Sequence, residues 1–291
     1  MSVWSRLARG SPAHGLSSGA AARLVLAHAA LITGAAVMLL PFVWMLLTSV
    51  RPPSEILSNS LNPFRGAFHG MANYSDALSI APLMRFMLNG VIVCGGILVV
   101  QLLVAIPAAY ALAKLRFPGK AVFFALVVAG LCVPIQVPAL PIYLALSRVG
   151  LLDSYFALMV PFFLSVFAIF LFRQSFKTFP DEIIHAARID GVGELEILWR
   201  IVVPSASPAI AAFSIFSIVA HWNDLYWPMI AIQRLEHATP PLGMLFFAGS
   251  ESGTSYGTLM AGAVMITAPL ILVFIVARHR FVQGITMTGV K

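Results

Sequence analysis

Charged side chains make up only 10% of these 291 residues, so the one passage where they crowd is the first place to look for chemistry. That passage is Phe179 to Pro204, FPDEIIHAARIDGVGELEILWRIVVP, which holds Asp181, Glu182, His185, Arg188, Asp190, Glu194, Glu196 and Arg200. That density asks for an explanation. The chain has no HExxH and no carboxylate pair inside an apolar run, and its two G-x-S-x-G spellings, Gly15 to Gly19 and Gly253 to Gly257, stand just ahead of or at the start of apolar runs rather than on a strand-to-helix turn, so the usual membrane hydrolases lack their machinery. It has no G-x-x-x-x-G-K-Ser/Thr either: Gly119 and Lys120 are followed by Ala121, without the upstream glycine. The chain therefore has no P-loop for ATP of its own. What remains is a densely charged passage in an otherwise apolar chain.

Local rules predict two short helices around a glycine turn. Thr178 is placed to cap the first, with Asp181 and Glu182 where a helix N-terminus favours negative charge. Ile183, Ala186, Ala187 and Ile189 give that helix an apolar side, with Asp181, His185 and Arg188 on the other. Gly191 is the expected left-handed stop. Gly193 opens a second helix in which Leu195, Leu198 and Ile201 share a face and Glu196 precedes Arg200 at i, i+4. The product is a compact, mostly polar knob. The same pattern also suits a plain solvated loop between membrane helices.

The surroundings are membrane-like. The sequence is 60% hydrophobic, and its mean hydropathy is +0.93, far above that of soluble domains. Six apolar runs are bounded by charges: Arg23 to Arg51, Arg85 to Lys114, Lys120 to Arg148, Asp153 to Arg173, Arg200 to Asp224, and Glu251 to Arg278. Each is long enough to cross about 30 Å of hydrocarbon as a helix. An all-α protein of six transmembrane helices over residues 23–278 is therefore expected, with a short tail at 1–22 and another at 279–291. With the N-terminus cytoplasmic, 13 of the 18 basic residues lie inside, which places both termini and the knob in the cytoplasm. This asymmetry explains a pI near 9.9 without nucleic acid; no basic stripe with interleaved aromatics is present. The first run is too long for a cleaved signal core. Cys94 and Cys132, each alone in an apolar run, read as packing residues rather than a disulfide or metal site.

Polar residues inside the runs are the candidates for a solute path. Asn89, Gln136, Tyr143, Asn223 and Asp224 offer hydrogen-bonding groups suited to a polyhydroxy solute. Pro134, Pro138 and Pro141 around Gln136 predict a bent third helix, lining a path or serving packing alone. His221, Asn223 and Asp224, among Trp222, Tyr226 and Trp227, form a polar cluster or an interfacial belt. Gly253, Gly257 and Ala261 give the last run a small-residue packing face.

The wording of the knob, HAARIDG with Gly191 in the turn and Pro204 closing the segment, resembles the EAA loop of binding-protein-dependent ABC importer permeases. LPFVWMLLTSVRPPSEI in the first run resembles the opening helix of the carbohydrate-uptake type, which includes maltose and glycerol 3-phosphate permease-like chains. RHRFVQGITMTGVK resembles the family ending, matched at Gly284, Gly289 and Lys291. The resemblance spans most of residues 38 to 291 and implies a MetI-like permease fold. It further implies a non-enzymatic subunit that pairs with a second, homologous permease, two ATP-binding subunits and an extracytoplasmic solute-binding protein in a bacterial or archaeal cytoplasmic membrane. ATP and Mg would be bound by the partner ATPase, with no cofactor in this chain. The segment 177–204 would dock on that ATPase through Asp181, Glu182, His185, Ala186, Ala187, Arg188, Asp190, Gly191 and Pro204, and the C-terminal tail would reach it as well. One position departs: His185 stands where the family usually has glutamate. The implied activity is alternating access for a sugar, polyol or sugar-like phosphate. An ion-coupled carrier of a small polar solute is the competing class, though His28 and His221 lack carboxylate partners at depth.

Overall fold

The computed structural model describes residues 18–56, 68–248 and 256–289. The tail through residue 17, segment 57–67, Gly253 and Lys291 lie outside the described residues.

Helix α1, Ser18–Ser49, carries no charge after Arg23, and its side chains from Ala22 to Trp44 face outward. After a short turn of helix at Pro53–Ile56, α2 (Gly70–Ile80) folds back, and Asn73 Nδ2 donates to the carbonyls of Ser49 at 2.9 Å and Arg51 at 2.8 Å. Those carbonyls end α1 and have no helical partner, so a side-chain donor stabilises the turn. The last helix, α13 (Tyr256–Gly289), packs on α1 and α2 at this junction. A Cβ on Gly257 would come within 2.6 Å of Asn73 and 2.9 Å of the Arg51 carbonyl, so only glycine permits the approach. Both Gly284 and Gly289 lie within α13.

Helix α3, Leu83–Lys114, is the spine. Next come α4 (Lys120–Leu131) and α5 (Ala139–Arg148), separated where Pro134 and Pro138 interrupt the chain. The expected bend is thus a complete break, since prolines so close together remove the donors a continuous helix needs. Helices α6 (Tyr155–Phe162) and α7 (Val166–Lys177) meet at 46°, each started by a serine: Ser154 Oγ accepts from Ala157 N and Ser165 Oγ from Ala168 N, both at 3.1 Å. The knob is α8 (Asp181–Ile189) and α9 (Glu194–Ser205), and α9 meets α10 (Ser207–Trp222) at 80°. Short helices α11 (Tyr226–Ala231) and α12 (Pro240–Ala248) lead toward α13. No strand occurs among the described residues.

Among the described residues three helices are long and apolar enough to cross a membrane: Ala22–Ser49, Leu83–Lys114 and Tyr256–Ile275. Counting each bent pair as one span raises the number to five. The remaining apolar run is the pair α4 and α5, whose first member has only 12 residues.

Two apolar cores divide the bundle along α3. One gathers Leu83, Phe86, Ile97, Leu158, Trp227 and Leu242. The other gathers Ile106, Phe172, Phe176 and Phe213 from the bundle with Ile184, Ile197, Leu198 and Val202 from the knob. The knob is therefore not a polar loop. At roughly 1.5–3 kcal/mol for a fully buried large aliphatic side chain, these four residues anchor it to α3 and α7.

Candidate coupling site and membrane pathway

The start of the knob differs from its sequence prediction in one respect. Thr178 does not cap α8; its hydroxyl donates to the Ser175 carbonyl at 2.7 Å and closes α7. Extended Pro180 intervenes, because its ring disfavours helical backbone at Phe179 and so separates the two helices. Asp181 and Glu182 then occupy the first turn of α8 as expected.

The inward side of α8 is also shifted by one residue. Ile184 and Ala187 are buried, while Ile183 and Ile189 are 46% and 86% exposed. Glu182, His185, Ala186 and Ile189 form the outward ridge. In α9 the buried residues are Ile197, Leu198 and Val202, and Leu195 is 70% exposed. Exposed isoleucine and leucine on a compact charged knob form a surface that another protein can cover.

Between the helices, Gly191 takes φ 80° and the C-terminus of α8 closes in a Schellman arrangement: Val192 N donates to Ala187 O at 3.0 Å and Gly191 N to Arg188 O at 3.1 Å. Asp190 is the exposed C-cap, and Gly193, extended, opens α9.

Two side chains of α3 tie the knob to the bundle, and an ion pair joins its two helices. Lys114, at the end of α3, donates to Asp181 Oδ1 at 2.5 Å and to the Phe179 carbonyl at 2.6 Å, with its own side chain only 5% exposed. Tyr110, one turn earlier, donates its hydroxyl to Glu194 Oε2 at 2.7 Å, and Arg188 Nε binds Glu194 Oε1 at 2.5 Å. The Lys114 ammonium holds the Asp181 carboxyl below its ordinary range. The Arg188 guanidinium, with help from the Tyr110 hydroxyl, does the same for Glu194, while Arg188 is itself raised. The Glu196–Arg200 pair forms at 2.6 Å as its spacing predicts, but it is exposed and worth only about 0.3–0.5 kcal/mol.

Pro204 does not end the knob. It lies inside α9, whose residues Ile197–Val202 form a π-helical turn. A proline clashes with the carbonyl four residues before it, here Arg200, and the widened turn falls at that point. The chain changes direction two residues later, at Ala206.

In the bundle, Gln136 and Asp224 line one cavity of about 260 Å³ with Phe162, His221, Tyr226 and Trp227. A second, of about 280 Å³, is lined by Gln101, Phe213, Phe216, Ser217 and also His221. Gln101 joins α3, α6 and α10: its Nε2 donates to Phe162 O at 2.9 Å, its Oε1 accepts from Ser217 Oγ at 2.7 Å, and Nε2 lies 3.4 Å from His221 Nε2. Gln101 and Ser217 were not singled out as path residues by pattern. A glutamine within a 28-residue uncharged run was the available signal; a serine in such a run is ordinary packing.

The other three sequence candidates stand elsewhere. Asn89 is fully buried and committed, with Nδ2 donating to the carbonyls of Glu236 and Ala238 and Oδ1 accepting from Tyr155. It is a strut for the segment before α12. Asn223 bonds back to Val219 O at 2.8 Å, and Tyr143 packs half-buried against the first core. Asp224, besides lining the cavity, accepts from the backbone of Tyr226 and Trp227 and so starts α11. Among the described residues no cluster of three or more His, Cys, Asp or Glu could hold a metal.

A helical membrane bundle with cavities open at its side and a packed two-helix knob joining two bent helix pairs is the class of a transport permease. Residues 101–287 match the family described as "Binding-protein-dependent transport system inner membrane component", and the chain belongs to that family. It is 31% identical over 253 residues to the arabinooligosaccharides transport system permease protein of Halalkalibacterium halodurans, covering 86% of this chain and 90% of that one. It is 29% identical over 260 residues to the lactose transport system permease protein of Rhizobium radiobacter (89% and 94%), and 28% identical over 267 residues to the sn-glycerol-3-phosphate transport system permease protein of Escherichia coli (90% and 95%). The fold is similar to that in a crystal structure of a bacterial ABC transporter involved in the import of the acidic polysaccharide alginate, with a TM-score of 0.80, 23% identity and coverage of 91% and 98%. The MetI-like fold and the carbohydrate-uptake resemblance are thereby borne out.

Proposed function

We propose that this chain forms one half of the translocation path of an ATP-driven importer for a sugar or sugar-like solute, crossing the cytoplasmic membrane six times with both termini inside. The alternative of an ion-coupled carrier is not favoured by its family. In this reading α4 and α5 together make the sixth crossing. The knob docks on an ATP-hydrolysing subunit, which binds ATP and Mg, and a second permease and an extracytoplasmic binding protein complete the assembly. Closure of the ATPase pair moves the knobs together. Lys114 and Tyr110 pass that movement to α3, and the cavities meeting at His221 change access. The shift in population comes from nucleotide binding energy, since a change of state requires a ligand with differential affinity.

The observation that supports this reading most directly is the knob itself: a rigid two-helix element welded by Ile184, Ile197 and Leu198 to the bundle yet presenting Ile189 and Leu195 outward. The residues lining the cavities supply amide, imidazole, carboxylate and aromatic groups, a set suited to hydroxyl-rich solutes. Sugar-type names recur among the relatives, including oligosaccharide, disaccharide and glycerol-phosphate systems. The test is purification of the tagged chain in mild detergent, identification of the chains that come with it, and measurement of ATP hydrolysis with binding proteins loaded with different solutes. Recovery of a P-loop ATPase and a second permease, stimulated by one loaded binding protein, is expected. A lone chain with no ATPase would overturn the assignment.

A further inference from the structure

Beside the knob, where the end of α3 faces α8, lies a cleft of about 220 Å³ lined by Lys114, Arg116, Asp181, His185 and Arg188. Three fixed positive charges face a single carboxylate there. Asp181 is already engaged by Lys114, and Arg188 by Glu194 outside the lining. Arg116 and His185 are exposed and make no ion pair among the described residues. We propose that this cleft receives an acidic side chain of the ATP-hydrolysing subunit, held by Arg116 and His185. The inference rests on the functional reading above and adds the charge that the docking partner must present.

Two features favour a protein carboxylate over a free phosphate or a lipid headgroup. His185 belongs both to the cleft and to the outward ridge of α8, so whatever fills the cleft also meets Glu182, Ala186 and Ile189. Ile189, one turn on from His185, is 86% exposed, and a small anion or headgroup would leave it in water. A protein surface covers the apolar ridge and fills the basic cleft together. Charge complementarity of this kind selects partners and speeds association more than it adds raw affinity.

A glutamate in place of His185 would, in this cleft, repel the incoming carboxylate, so His185→Glu is expected to harm assembly. The experiment uses the whole complex in detergent and measures the ATPase subunit's affinity for the permease pair across salt concentration. Arg116→Glu and His185→Glu are each expected to weaken binding about tenfold or more, as repulsive contacts at one exposed site can. They should also flatten its salt dependence, because exposed charges are screened beyond about 10 Å at 0.1 M salt. His185→Gln, which keeps a hydrogen-bond donor, is expected to stay within about threefold. Because these side chains are exposed, the variants should remain monodisperse; Arg116→Gln, with a smaller expected loss, checks any that do not. Unchanged affinity in both charge-reversed variants, or tighter binding with His185→Glu, would overturn the proposal. So would loss of copurified anionic phospholipid with ATPase affinity intact. Failure of the unaltered chain to bind any ATPase would overturn the reading of the chain itself, a distinguishable result.

Discussion

Gly191 is the residue on which the knob turns. An added Cβ would meet no atom within 4 Å, so the cost of substitution is purely conformational. Gly191→Ala is expected to destabilise the α8 to α9 turn by about 1–2 kcal/mol, the strain of left-handed backbone with a side chain, and Gly191→Asn by distinctly less. Hydrogen exchange across residues 181–196 would register this; equal protection in both variants would contradict it. The ties to α3 give a pH expectation. Asp181 and Glu194 are held below their ordinary values by Lys114 and Arg188, so their stabilisation is present above the unfolded carboxylate pKa, about 4.3 for glutamate. It is lost progressively as pH falls from there through the lowered folded values. Exchange protection of the knob should hold from pH 7 down to that range and fall below it. Tyr110→Phe should remove one bond to a charged acceptor, about 1.5 kcal/mol, and lower uptake per ATP hydrolysed while leaving the Arg188–Glu194 pair. Gly191, the acidic first turn of α8 and the Glu196–Arg200 pair were all legible because they are local. Tyr110 was not, since it meets Glu194 from 84 positions away. Thr178 was misread because Pro180 moved the start of α8 beyond its reach.

At the scale of elements, the apolar runs were visible but their breaks were not. A hydropathy window registers Lys120 to Arg148 as one span, whereas backbone hydrogen bonding at Pro134 and Pro138 divides it. The inward face of α8 was off by one residue for a related reason. Ile183 and Ile184 are equally apolar, and only packing against α3 and α7 decides which is buried. The π-helical turn before Pro204 follows from ring sterics, so Pro204→Ala should let the turn tighten. Thermal stability would then hold or rise while solute uptake per ATP falls, because the angle at which α9 enters the bend is altered; unchanged coupling would separate the turn from transmission. Asn89 is expected to act on stability rather than solute preference. Asn89→Leu leaves the Ala238 carbonyl and the Tyr155 hydroxyl without their Asn89 partner, each worth about 1–3 kcal/mol, while the Glu236 carbonyl keeps Arg85 Nε, and it lowers the melting temperature without changing which solute stimulates hydrolysis.

Across the whole molecule, α3 runs through both apolar cores and ends at the knob, and Gln101 on it bonds to α6 and α10 where the two cavities meet. Movement of the knob can thus reach His221 through one continuous helix as well as through the bent pairs flanking the knob. The most direct test of that claim is the nucleotide dependence of access to the cavity containing Gln136. In a complex whose Cys94 and Cys132 are replaced by alanine, Gln136→Cys would be challenged from outside with a membrane-impermeant thiol reagent, with and without a nonhydrolysable ATP analogue. Labelling that rises with the analogue, and no longer does so once Gly191→Val is added, is the expected result. Labelling that ignores the nucleotide, or responds to it equally in the Gly191→Val background, would contradict the account.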